Sequence, residues 1–226
     1  RFAGALLESL ERERELELAL DSYRKARALQ PDHPTGYQVL AFALARHGDL
    51  QEAVEVLVDA LGRTYAAGRF GDAVELMRAD LASLAAAAII ADPSLRPAIL
   101  TALVDTMVLP SAEVRDHFTL TWESDASSLD LRQTGIGDGL AEGWGADFSA
   151  QVTTGYGPQG LDWAEEFDEP IAVSVHANDL GPEAIALGSV RRMRLEADGR
   201  LAFETRPFVI WPEQDTAELG TFEKPR

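Results

Sequence analysis

The chain changes its residue grammar at about Pro110, and that change limits what it can fold into. Before it, Ala, Leu, Glu and Arg dominate, all good helix formers. After it come Thr, Val, Phe, Trp and most of the glycines, which suit strands and turns. A run of helices followed by a run of strands predicts an α+β chain of two domains. The expected parts are residues 1–110, a helical hairpin repeat with its cap, and residues 111–226, an all-β sandwich. The link is expected near Val108–Arg115. Charge divides at the same place. The first part carries 11 basic and 16 acidic residues, the second 9 and 22.

The 226 residues sum to a net charge of −18 and contain no cysteine. The charge argues against a nucleic-acid partner, whose phosphates are held mostly by Lys and Arg. It equally disfavours an anionic membrane surface. The missing cysteines exclude disulfides, thiolate metal sites and cysteine nucleophiles. No uncharged apolar run reaches the length of a transmembrane span. The sequence opens at Arg1 on an amphipathic helical pattern, as expected of a piece of a longer protein with further repeats upstream.

The helical half repeats itself. Ala19, Tyr23 and Ala26 recur 34 residues later as Ala53, Leu57 and Ala60. Between them a helix is predicted over Pro34–His47, then a turn at Gly48-Asp49, then a second helix over Leu50–Leu61. Gly48 suits a helix end that needs positive φ. Tyr37, Leu40, Ala41, Ala53, Leu57, Ala60 and Pro31 together resemble a tetratricopeptide repeat. The small residues sit where two antiparallel helices must approach closely. Further helices are predicted over Arg69–Ala91 and Pro93–Met107, off the repeat pattern, as a cap. In such a repeat Gln38, Phe42 and Arg46, at i, i+4 and i+8, would form the stripe that faces a peptide-binding groove. The resemblance therefore makes them candidate partner contacts; alternatively they only hold the repeat together.

In the second half, alternating apolar residues predict strands over His117–Glu123, Leu129–Leu131, Asp147–Thr153, Ile171–Val175, Val190–Glu196 and Leu201–Val209. Asp198-Gly199 between the last two reads as a hairpin turn. The stretches LTWESDASSLDLRQT, ADFSAQVTTGYGPQG and RLAFETRPFVIW…DTAELGTF, in that order, resemble the YfaP-type domain, a bacterial family with no assigned chemistry. The resemblance implies an envelope-associated protein, periplasmic or secreted rather than cytoplasmic, and no particular reaction.

Several constellations admit a chemical reading. The loop from Glu123 to Asp130 clusters carboxylates, with Asp125 and Asp130 the best ligands for Ca²⁺, a cation that takes oxygen donors. Asp and Ser are equally ordinary turn residues. Asp162, Glu165, Glu166, Asp168 and Glu169 form an acidic loop interleaved with Trp163 and Phe167. It suits contact with a basic partner, or plain solvation, better than acid–base catalysis. Gly155-Tyr156-Gly157-Pro158 reads as a tight loop, not a phosphate cradle. Two histidines, His117 and His176, fall on predicted strands where they are candidate neighbours. Arg191, Arg192 and Arg194 are expected to pair with internal acids. No nucleophile elbow or P-loop is present. The expectation is a non-enzymatic protein-interaction or scaffold module, with a Ca²⁺-dependent binding or adhesion module as the alternative.

Overall fold

The computed structural model describes residues 13–65, 70–113, 116–122, 127–134, 146–149, 159–163, 170–196 and 198–223. Five α-helices come first among them: α1 (Glu13–Leu29), α2 (Pro34–His47), α3 (Leu50–Leu61), α4 (Gly71–Ala91) and α5 (Arg96–Leu103). Eight strands follow: β1 (Asp116–Trp122), β2 (Ser128–Thr134), β3 (Ala146–Ser149), β4 (Gln159–Trp163), β5 (Ile171–Asp179), β6 (Ala186–Leu195), β7 (Leu201–Ile210) and β8 (Thr216–Phe222). The chain is α+β, with the helices preceding two antiparallel sheets.

The bounds of α2 follow from local chemistry. Pro34 opens it with φ already helical and no N–H to satisfy. Gly48 closes it at φ 101, and its N–H reaches back to Ala45 O. Between them every residue from Pro34 to Ala45 is buried, so α2 is the central helix of its layer. One face of α3, with Ala53, Val54, Leu57 and Ala60, packs beside it. The predicted cap begins as one long helix, α4. The expected Pro93–Met107 helix is instead α5 flanked by two single 3₁₀ turns. Arg78 Nη1 donates to Thr106 O (2.7 Å) and Ser111 N–H to Ala82 O (3.1 Å), strapping the link onto α4.

One sheet has the order β3-β4-β1-β6-β7, the other β2-β5-β8. Side chains alternate along a strand, and in the five-stranded sheet both sets are used. Phe118, Leu120, Trp122, Val190, Phe208 and Ile210 join Leu129, Leu131, Ile171, Val173, Val175 and Phe222 in a cluster drawn from both sheets. The intervening residues meet the helices. Met193 belongs to the helical core cluster, with Leu201 and Phe203 packed against it, and Leu195 clusters with Ala86 and Ala87 of α4. That double duty explains why all seven residues of β1 are buried.

Two glycines mark close approaches. A Cβ on Gly160 would lie 2.1 Å from Leu76 Cδ1 of α4. Gly199, at φ 84 in the β6–β7 hairpin, presses on Ile90 at the end of the same helix. The strand at Gln159–Trp163 falls in a stretch that reads as loop. It exists because it pairs with β1 on one side and β3 on the other. Of the expected strand Asp147–Thr153, the first three residues belong to β3, while residues 150–153 lie outside the described residues.

Candidate functional site

The stripe on α2 does not line an open groove. Gln38 and Phe42 are 0% and 1% exposed. Gln38 Nε2 donates to Asp80 Oδ2 of α4 at 2.6 Å, and the Phe42 ring lies 6.4 Å from that of Phe203 on β7. The face that the repeat pattern marks for a partner is filled by this chain's own α4 and five-stranded sheet. Arg46, one turn further, is half-buried.

Beneath that stripe lies a buried polar seam. Asp80 and Ser83 are three residues apart in α4 and so share a face. His117 enters from β1. Its Nε2 stands 2.7 Å from Ser83 Oγ, and its Nδ1 stands 4.0 Å from Asp80 Oδ1. None of the three is more than 2% exposed. An Asp–His–Ser row suggests nucleophilic catalysis by its composition. Here it is enclosed between a helix and a sheet, with Ser83 only 2% exposed. No local signal marks this cluster, because Ser83 and His117 are 34 residues apart.

The arginines of β6 divide between the two faces of their strand. Arg191 Nη2 donates to Tyr23 Oη of α1 at 2.8 Å. Arg192 Nε donates to Asp116 Oδ1 at 2.6 Å, with its charge over the Phe118 ring. Arg194 lies 3.3 Å from Glu196. The expected pairing with internal acids therefore holds for Arg192 and Arg194, while Arg191 takes a phenol. His117 and His176 are in different sheets: His176 Nδ1 lies 3.2 Å from Thr216 Oγ1 of β8.

Asp130 sits on β2, where its Oδ2 accepts from Asn178 Nδ2 (2.7 Å) and lies 3.8 Å from Arg132. Asp125 lies outside the described residues. Among the described residues no group of three or more His, Asp or Glu is placed to hold a metal. Trp163 ends β4, paired in register with Asp116 and Ala146. Its side chain, and the whole of Phe167, lie outside the described residues, as does the acidic stretch from Glu165 to Glu169.

The surface offers something the sequence reading missed. Leu100, Val104, Met107 and Leu109 are 40, 71, 85 and 79% exposed, successive large apolar side chains along α5 and the link. Leu100 and Val104 share a helix face, while Ile99 and Leu103 beside them are buried in the core. Met107 is held at φ 57 by the turn that ends the helical half. The periodicity of 96–109 marks a helix; it does not say which apolar face lacks cover. Among the described residues no helix is long and apolar enough to cross a membrane. Comparison with protein-family models, with curated proteins and with solved structures returns no match.

Proposed function

We propose that the chain is a non-enzymatic protein-interaction module of a larger bacterial envelope protein. In this reading a tetratricopeptide-like helical layer, residues 1–110, carries a YfaP-type β-sandwich, residues 111–226. The apolar cluster drawn from both sheets supports the sandwich. The observation that carries the function is the run of exposed Leu100, Val104, Met107 and Leu109. Large apolar side chains left in water on a soluble surface mark contact sites when they gather. The groove-side stripe is used internally, so contact falls on the outer face of α5. The net charge of −18 favours partners with basic rims, whose encounter it accelerates.

The test is affinity capture with the full-length protein and with its Val104→Asp, Met107→Asp double variant. Partners lost by the variant, with unfolding unchanged, support the reading. Identical partner lists overturn it.

A further inference from the structure

The seam between the helices and the five-stranded sheet holds a titratable group that no surface function uses. His117 is 1% exposed and meets Ser83 Oγ at Nε2 and Asp80 Oδ1 near Nδ1, both from α4. Asp80 is itself fully buried and accepts from Gln38 of α2 through its other oxygen. One imidazole thus joins the two layers through contacts that depend on its protonation.

We propose that His117 is a proton-operated latch: Asp80 holds its ring as an imidazolium, and loss of that proton loosens the docking of the helices on the sheet. The protonated ring has two N–H donors: Nε2 meets the Ser83 hydroxyl at hydrogen-bond distance, while Nδ1 faces the Asp80 carboxylate at 4.0 Å, within ion-pair range but beyond a hydrogen bond. The neutral ring keeps one N–H donor, and the Ser83 hydroxyl can donate to its other nitrogen, so what deprotonation removes is the ionic attraction to Asp80. In a buried site that attraction is far stronger than in water.

Among the described residues, the neighbouring charges come from three elements. From α4 comes Asp80, which favours the cation. From β6 comes Arg191, which opposes it, but its guanidinium is turned to Tyr23 of α1. On β4, Asp162 stands opposite His117 in register. Burial itself opposes the charged form. The ion-pair range of Asp80 is what tips the balance to the cation, while the Ser83 hydroxyl serves either form of the ring.

The consequence has a definite sign. A histidine that holds its proton more tightly folded than unfolded contributes stability fully present below the unfolded value of ~6.5, and lost as pH rises through the folded value. The ring's proton passes to solvent, and no other reactant is needed.

The chain has four histidines, so each ring can be followed by NMR. In the 226-residue chain, titrated from pH 5 to 9, the His117 ring is expected to stay protonated at least one pH unit above ~6.5, a tenfold shift in its proton equilibrium. Asp80→Asn is expected to remove that shift. In urea unfolding the wild type should lose stability between pH 6.5 and 9 relative to His117→Gln. A His117 ring that deprotonates at or below ~6.5, or that never takes a proton, overturns the latch. So does an unchanged titration in Asp80→Asn. If that variant does not fold, the wild-type titration alone decides.

Discussion

Arg191 of β6 donates a 2.8 Å hydrogen bond to the phenol oxygen of Tyr23 in α1, joining residues 168 positions apart, and the same guanidinium lies 5.5 Å from the Tyr23 ring centre. The first described helix and the sheet are therefore in direct contact at a fully buried point.

Tyr23→Phe should weaken the protein by about 2 kcal/mol, because it removes an acceptor from a buried charged donor while keeping the ring. Urea unfolding measures this. Followed by tyrosine and tryptophan signals separately, the transition should stay single, since the helices and the sheet share core residues. Two separated transitions would show that the shared core does not couple them.

Phe42→Ala should cost about 3–5 kcal/mol, the usual loss for a buried aromatic ring. Val104→Ser should cost under about 0.5 kcal/mol, because that side chain is 71% exposed. Both are read from thermal or urea midpoints. Equal effects would contradict the placement of one inside and the other outside.

Two glycine substitutions should move in opposite directions. A Cβ at Gly188 would meet Thr121 O at 2.3 Å and Phe208 Cζ at 2.6 Å, so Gly188→Ala should destabilise by about 1–3 kcal/mol. At Gly36, in the first turn of α2, the nearest atom would be Arg27 Cα at 3.5 Å, an ordinary contact. Gly36→Ala should therefore stabilise, by up to about 1 kcal/mol. Denaturant midpoints of the two variants decide the matter.

The tyrosines of the helical half should make the protein sensitive to alkali. Burial pushes the Tyr65 phenol well above its ordinary value, and Tyr37 is also raised, burial outweighing the nearby Arg63. Both donate to backbone oxygens, Tyr65 to Ala60 O and Tyr37 to Pro31 O, each at 2.9 Å. Their contribution is fully present below the unfolded value near ~10 and is lost as pH rises through the folded values. Stability measured in urea should fall above about pH 10, and less steeply in Tyr65→Phe. An equal slope in that variant would remove Tyr65 as a cause.

Much of the helical half was legible because its signals are local. Pro34 opens α2, Gly48 closes it, and the 34-residue recurrence locates α3. Strand β4 was not, since Gln159–Trp163 has weak alternation and is a strand only through its neighbours on both sides. The α2 stripe was readable as a stripe, but what it faces was not. Amphipathic spacing says that Gln38 and Phe42 lie together; it says nothing about Asp80 and Phe203 arriving to cover them. The exposed apolar side chains of α5 and the link were invisible for the mirror-image reason, because spacing cannot show that no element arrives.

By itself the sequence determined the order of helices before strands and the division of the acidic charge. It also determined the turn at Gly48 and the alternation that builds each strand, because those properties depend on residues a few positions apart. The tertiary structure alone decided that β1 and β6, in the five-stranded sheet, are buried on both faces. It sent Arg191 to the helices and Arg192 to Asp116, and it enclosed Asp80, Ser83 and His117 in one seam. Burial is a property of what packs against a surface, and here that packing joins residues from opposite halves of the chain.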